Sequence, residues 1–110
     1  MSADVFDIVW VRLPVGASRD IRPCVVIRVE ANGAVTLVRI SSAMDLFDPR
    51  THFRFEPTHP DFAATGLRKE SFCDDSKFFN VHVNNLGKRM GSITGDLQRE
   101  FAKWLGLTLG

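Results

Sequence analysis

The chain has 110 residues, 14 Lys and Arg against 13 Asp and Glu for a formal charge of +1, 45% hydrophobic residues, two cysteines and no tyrosine. This describes a single domain over 1–110 with one modest core and excludes a largely disordered chain. It also excludes a duplex binder driven by net charge alone, while leaving room for a local basic groove. With no apolar run near the roughly 20 residues that cross a bilayer, and no signal-peptide pattern in the first ten residues, the expectation is a cytoplasmic protein that does not engage membranes.

Residues Asp7-Ile8-Val9-Trp10-Val11-Arg12-Leu13 are rich in β-branched and aromatic side chains and stop at Pro14, which predicts a first strand. A polar loop through Arg19 leads to Arg22-Pro23 and a second strand from Cys24 to about Glu30. Asn32 and Gly33 both tolerate positive φ, so a tight hairpin is expected there, before a third strand from Ala34 to Ile40. The three runs are apolar on both faces, the pattern of strands in a small closed barrel.

From Ser41 to Gly66 the character changes to prolines and polar residues, with Thr51 to Phe55 as a short strand. A connection this long inside one domain is usually functional. Further short strands are read at Ser71–Cys73, Phe78–Val83 and Lys88–Ile93. The C-terminus then carries a helix, with Thr94 as its N-cap, Asp96 in the first turn and Gly106 as its stop. Leu97, Phe101, Trp104 and Leu105 recur at i, i+4, i+7 and i+8 and form one apolar stripe for the core. The fold class is mainly β with a C-terminal helix packed on a small barrel.

The sequence holds no nucleophile elbow, phosphate-binding glycine loop, HExxH or CxxC motif. Cys24 sits in an apolar run and reads as a buried small residue, while Asp74 and Asp75 beside Cys73 oppose a thiolate there. His52, His59 and His82 lack metal-ligand spacing, so no metal and no other cofactor is expected. The hairpin makes strands two and three antiparallel, which brings Arg22, at the start of one, near Ser41, at the end of the other. A guanidinium beside a hydroxyl makes a phosphate site; a solvated arginine and turn-forming serines account for the same pattern.

Several segments, taken in order, resemble the MazF/PemK family of toxin ribonucleases. These are Asp7-Ile8-Val9-Trp10-Val11, Arg22-Pro23-Cys24-Val25-Val26-Ile27, Val38-Arg39-Ile40-Ser41-Ser42, Ala64-Thr65-Gly66-Leu67-Arg68-Lys69-Glu70-Ser71-Phe72 and Lys88-Arg89-Met90-Gly91-Ser92-Ile93-Thr94. The resemblance spans about residues 6 to 105 and implies an SH3-like barrel of the MazF, CcdB and Kid type that forms a homodimer. It further implies metal-independent cleavage of single-stranded RNA at short motifs and neutralisation by a cognate antitoxin. The implied reaction is attack of a ribose 2′-hydroxyl on the adjacent phosphate, leaving a 2′,3′-cyclic phosphate and a 5′-hydroxyl. Arg22 stands at the family's catalytic arginine, assigned to phosphate stabilisation, and Ser41 at its catalytic Thr/Ser.

Asp74 is the candidate base. Some members carry an Arg-x-Asp pair at this point, and here Phe72-Cys73-Asp74 keeps the acid but has phenylalanine in place of the arginine. A register shifted by two puts Asp74 on the arginine and Ser76 on the acid, so either alignment loses half the pair. Arg19, Ser42, His52, Arg54, Arg68 and Lys69 are the candidate RNA contacts. In the long loop, Phe47, Phe53, Phe55 and Phe62 interleave with basic residues, a composition that suits stacking on unpaired bases at ~1–3 kcal/mol each. The alternative is that these rings pin the loop to the core, with the i, i+2 spacing of Phe53 and Phe55 facing both to one side of a strand. Two other functions fit the same fold: a binding module for RNA or peptide with an eroded catalytic set, and a gyrase-inhibiting toxin.

Overall fold

The computed structural model describes residues 3–12 and 21–109, without the side chains of 75–77 and 107–109. The described residues form β1 (Asp7–Arg12), β2 (Ile21–Val29), β3 (Ala34–Ser41), β4 (Phe53–Phe55), β5 (Ser71–His82), β6 (Leu86–Ser92) and α1 (Gly95–Leu109). One antiparallel sheet holds all six strands in the order β4-β5-β3-β2-β1-β6. The two short strands expected at 71–73 and 78–83 are a single β5. A register shift opposite Val38 and Ile40 lets it pair with β3 on both sides of the unpaired residues 74–77.

The β2–β3 turn differs from the expected two-residue hairpin. Gly33 alone has positive φ, at 90°, and the Glu30 N–H donates to the Ala34 carbonyl at 2.9 Å, so Ala31 to Gly33 form a three-residue loop. A Cβ at Gly33 would also lie 2.6 Å from Nε2 of the exposed His82 ring, which can swing aside, so it is the positive φ that calls for glycine.

Strands apolar on both faces are explained by two buried clusters, one on each face of the sheet. Ile8, Val25, Val38, Ile40 and Cys73 point to one face and pack against Phe55, Phe62, Ile93, Leu97 and Phe101. Val9, Val11, Cys24, Val26, Val35 and Leu37 point to the other and pack with Leu86, Phe79 and Val81. The hydrogen-bonded ladder is open: β4 and β6 are its edges, and no pairing joins them among the described residues.

The helix stripe is as expected, with Leu97 and Phe101 buried, but both ends of the helix differ. Thr94 holds the N-cap position, its carbonyl accepting the Gln98 N–H at 3.1 Å, but the side-chain cap comes from Asp61 in the long connection, which accepts the Leu97 N–H at 3.3 Å. At the other end the helix runs past Gly106 to Leu109.

Candidate active site

The starts of β2 and β5 and the end of β3 meet at one end of the sheet. A cleft of about 610 Å³ opens there against β1, β6 and the turn before β5. Its described lining carries five cations, Arg22, Arg68, Lys69, Lys88 and Arg89, and no carboxylate. Trp10 and Pro23, cross-strand partners on β1 and β2, form its apolar wall, and Ser42 and Ser71 are its hydroxyls. Trp10 is 37% exposed, on the face of β1 opposite the buried Val9 and Val11. Arg89 is held by Asp7, which accepts from its Nε at 3.0 Å, and its Nη2 donates to Ser92 Oγ at 3.2 Å. The close seating of β6 depends on Gly91, where a Cβ would stand 2.2 Å from the Ala64 carbonyl oxygen.

A second group of residues adjoins the cleft. Cys24 pairs with Arg39 across β2 and β3, and the same register carried two residues further brings Arg22 opposite Ser41. Directly opposed residues on one sheet face stand about 4.5–5.5 Å apart at Cβ, within reach of a shared phosphate. The Ser41 Oγ accepts the Ala43 N–H at 3.2 Å, which leaves its own O–H as a donor. On its other side Ser41 pairs with Phe72 of β5, and Asp74 follows two residues along, where the ladder breaks between the Ile40–Cys73 and Val38–Phe78 pairs.

The loop after β3 folds back over this face. His52 lies parallel on Phe72, with ring centroids 4.8 Å apart at 8°, and Phe47 contacts both rings. The His52 Nδ1 accepts the Asp48 N–H at 3.0 Å, and its Nε2 is 3.6 Å from the Asp74 Oδ1. Asp48 in turn takes two side-chain hydrogen bonds from Arg50, which hold its carboxyl below the usual range.

The sequence-predicted residues thus fall into two adjoining groups. Arg22, Ser42, Arg68 and Lys69 line the cleft, while Ser41, His52 and Asp74 lie beside Phe72. Arg54, on β4, is bound to Glu70 through Nε and Nη2 and to Glu56 through Nη1. Arg19 lies outside the described residues. The loop phenylalanines are packed: Phe55 and Phe62 are buried, Phe53 meets Phe101 and Trp104 edge-on or tilted, and Phe47 closes on His52 and Phe72. Trp104 fastens the same loop by donating from its indole nitrogen to the Thr51 carbonyl at 2.9 Å.

Sequence reasoning passed over Trp10, Lys88 and Arg89. The signal was present in β1, where Trp10 alternates with Val9 and Val11; treating the strand as apolar on both faces hid it.

Both thiols are inert by environment. Burial pushes Cys24 from the ordinary 9.0 to about 12, against a smaller opposing pull from Arg39. Burial also drives Cys73 well above the thiol range, and the neighbouring Cys24 and Asp74 add to the rise. His59 ties the long connection to α1, with its Nε2 2.9 Å from Glu100 Oε2, and His82 accepts the Asn84 N–H. No group of three His, Cys, Asp or Glu suited to a metal occurs among the described residues, and none of the described helices is long and apolar enough to cross a membrane.

The fold matches solved toxin structures. An endoribonuclease in complex with its cognate antitoxin from a Mycobacterial species superposes with a TM-score of 0.69 at 16% identity, covering 100% of this chain and 96% of that one. The Mycobacterium tuberculosis toxin MazF-mt6 gives a TM-score of 0.69 at 18% identity over 94% of this chain and 95% of its own. A further Mycobacterial endoribonuclease gives 0.69 at 16% over 100% and 94%. No curated protein sequence matches significantly. The profile of the PemK-like, MazF-like toxins of type II toxin–antitoxin systems matches residues 4–109, and the chain belongs to that family.

Proposed function

We propose that this toxin is an endoribonuclease that cleaves single-stranded RNA without a metal. The observation that carries the reading is the cleft: five cations, Arg22 among them, and an exposed indole, without a carboxylate in the described lining, which reaches Ser42, the chain neighbour of Ser41. Cations that track phosphates and an aromatic face for a base are what an unpaired strand requires, and a chain of net charge +1 reaches this only by concentrating its cations.

The substrate phosphate lies between Arg22 and Ser41. Asp74 takes the 2′-hydroxyl proton, the 2′-oxygen attacks phosphorus, and the bond to the 5′-oxygen breaks as that oxygen takes up a proton. Arg22 offsets the charge of the phosphorane with donors already in place, and Ser41 donates its O–H to a phosphate oxygen. Arg68 and Lys69 hold flanking phosphates, with Ser42 beside them. The fold similarity to endoribonucleases, one of them solved with its antitoxin, supports an antitoxin partner for this chain. On the same family grounds we read the curved sheet as an SH3-like barrel left open between its edge strands, in a homodimer acting in the cytoplasm.

The test is incubation of the purified protein with mixed-sequence single-stranded RNA in EDTA, with Arg22→Ala in parallel. Products ending in 2′,3′-cyclic phosphate, absent with the variant, are expected. Intact RNA from folded, partner-free protein would replace this reading with a binding module.

A further inference from the structure

Asp74 does not stand alone on its sheet face, and the group beside it comes from the far side of a long loop. Three contacts fix the His52 ring. The Asp48 N–H donates to Nδ1 at 3.0 Å, and the His52 N–H returns a bond to the Asp48 carbonyl at 2.9 Å, closing a five-residue turn. Phe72 lies flat beneath the ring, and Phe47 packs against it at 56°. Because Nδ1 is occupied as an acceptor, the proton of the neutral ring belongs on Nε2, and Nε2 is the atom that faces Asp74.

Exposure separates the two roles. The His52 side chain is 13% exposed and the Asp74 side chain 42%, so the carboxylate faces solvent and substrate while the imidazole stands behind it. We infer that His52 is a positioning residue: its Nε2 stands 3.6 Å from the Asp74 carboxylate, longer than a direct hydrogen bond but close enough to attract it, and keeps it beside Phe72, the partner of Ser41, aimed at the 2′-hydroxyl of a bound nucleotide. This inference rests on the ribonuclease reading for its consequence in catalysis, but the coupling of His52 to Asp74 is a property of the protein by itself. It also gives the loop Met44–His52 a function in the reaction beyond covering the sheet, since the turn at Asp48 sets which nitrogen of the ring carries the proton.

Two substitutions separate this from a purely structural role. His52→Asn retains an acceptor near Nδ1 for the Asp48 N–H but has no atom that reaches Asp74. His52→Gln places an amide N–H near Nε2, toward Asp74, and gives up the bond to Asp48. With single-stranded RNA as substrate, His52→Asn is expected to lower kcat by about 10- to 100-fold with KM within about twofold, the scale of a misaimed catalytic group. His52→Gln is expected to keep kcat within about threefold of wild type. The reverse ranking, or equal losses in both variants, would overturn the inference in favour of loop support.

A second readout does not depend on activity. Long-range ¹H–¹⁵N spectra should show His52 protonated on Nε2, and the Asp74 carboxyl ¹³C resonance should move in His52→Asn and stay in place in His52→Gln. A ring protonated on Nδ1, or an unmoved carboxyl resonance, refutes the coupling whatever happens to RNA. Intact RNA together with the expected spectra would instead remove the ribonuclease reading and leave the His52–Asp74 coupling standing.

Discussion

The concentration of positive charge in the cleft has a measurable consequence in salt. Consider Lys69→Ala combined with Lys88→Ala, two lysines of the lining that form no ion pair among the described residues. If the lining cations other than Arg89, which Asp7 holds, meet phosphates, the slope of log K against log salt for a single strand is about −2.8, and binding weakens about 50-fold between 50 and 200 mM. Removing two leaves a slope of about −1.4 and a loss of about 7-fold over the same range. The assay is fluorescence anisotropy with a mixed-sequence 2′-O-methyl RNA, which has no 2′-hydroxyl to attack and stays intact. Arg54→Ala is the control: Glu56 and Glu70 already neutralise that guanidinium, so its slope should equal that of wild type. A wild-type slope near zero, or a slope unchanged in the double variant, would refute the cleft as the path of the RNA backbone.

Two further predictions concern the body of the fold. Phe101 is fully buried and touches the rings of Phe6, Phe53, Phe55 and Trp104, so Phe101→Ala should cost about 3–5 kcal/mol and lower the melting temperature by about 12–25 °C; a shift of only a few degrees would show that α1 is not part of the cooperative core. Folded protein should resist thiol reagents at both cysteines, because Cys24 and Cys73 are held protonated. As Cys24 rises from 9.0 to about 12 on folding, the native state binds more protons in that window, and stability should fall as pH climbs through it. Alkaline denaturant titrations check the sign, and stability that increases from pH 9 upward would contradict it.

Local pattern carried part of the fold a long way. The β-branched runs at 7–12, 24–29 and 34–40 are strands because such side chains fit a pleated surface, and Leu97 with Phe101 recur at the spacing that puts them on one helix face. The hairpin at Gly33 also brought the start of β2 beside the end of β3, but the register set at the turn would put Arg22 opposite Ser42, and the one-residue shift between Val26 and Arg28 puts it opposite Ser41 instead. Where the reading fell short, remote partners decided. Asp61 rather than Thr94 accepts the Leu97 N–H from 36 residues away, and one register shift merged two expected strands into β5.

The sequence by itself determined the residue types of the site, the mainly β character with a terminal helix, and the proximity of the start of β2 to the end of β3, all consequences of spacing along a short stretch of chain. Only the tertiary structure decided what each side chain does with its spacing. Phe53, Phe55 and Phe62 had the composition of a base-stacking loop, and burial against α1 took them into the core, because the apolar area removed from water there outweighs an exposed position. Trp10, far in sequence from Lys69 and Lys88 of the cleft, became its aromatic wall because β1 lies between β2 and β6. His52 reached Asp74 because Phe72 offered a flat surface for its ring and the Asp48 N–H took one of its nitrogens. These are contacts between distant segments, fixed by packing in three dimensions, and no periodicity in the chain encodes them.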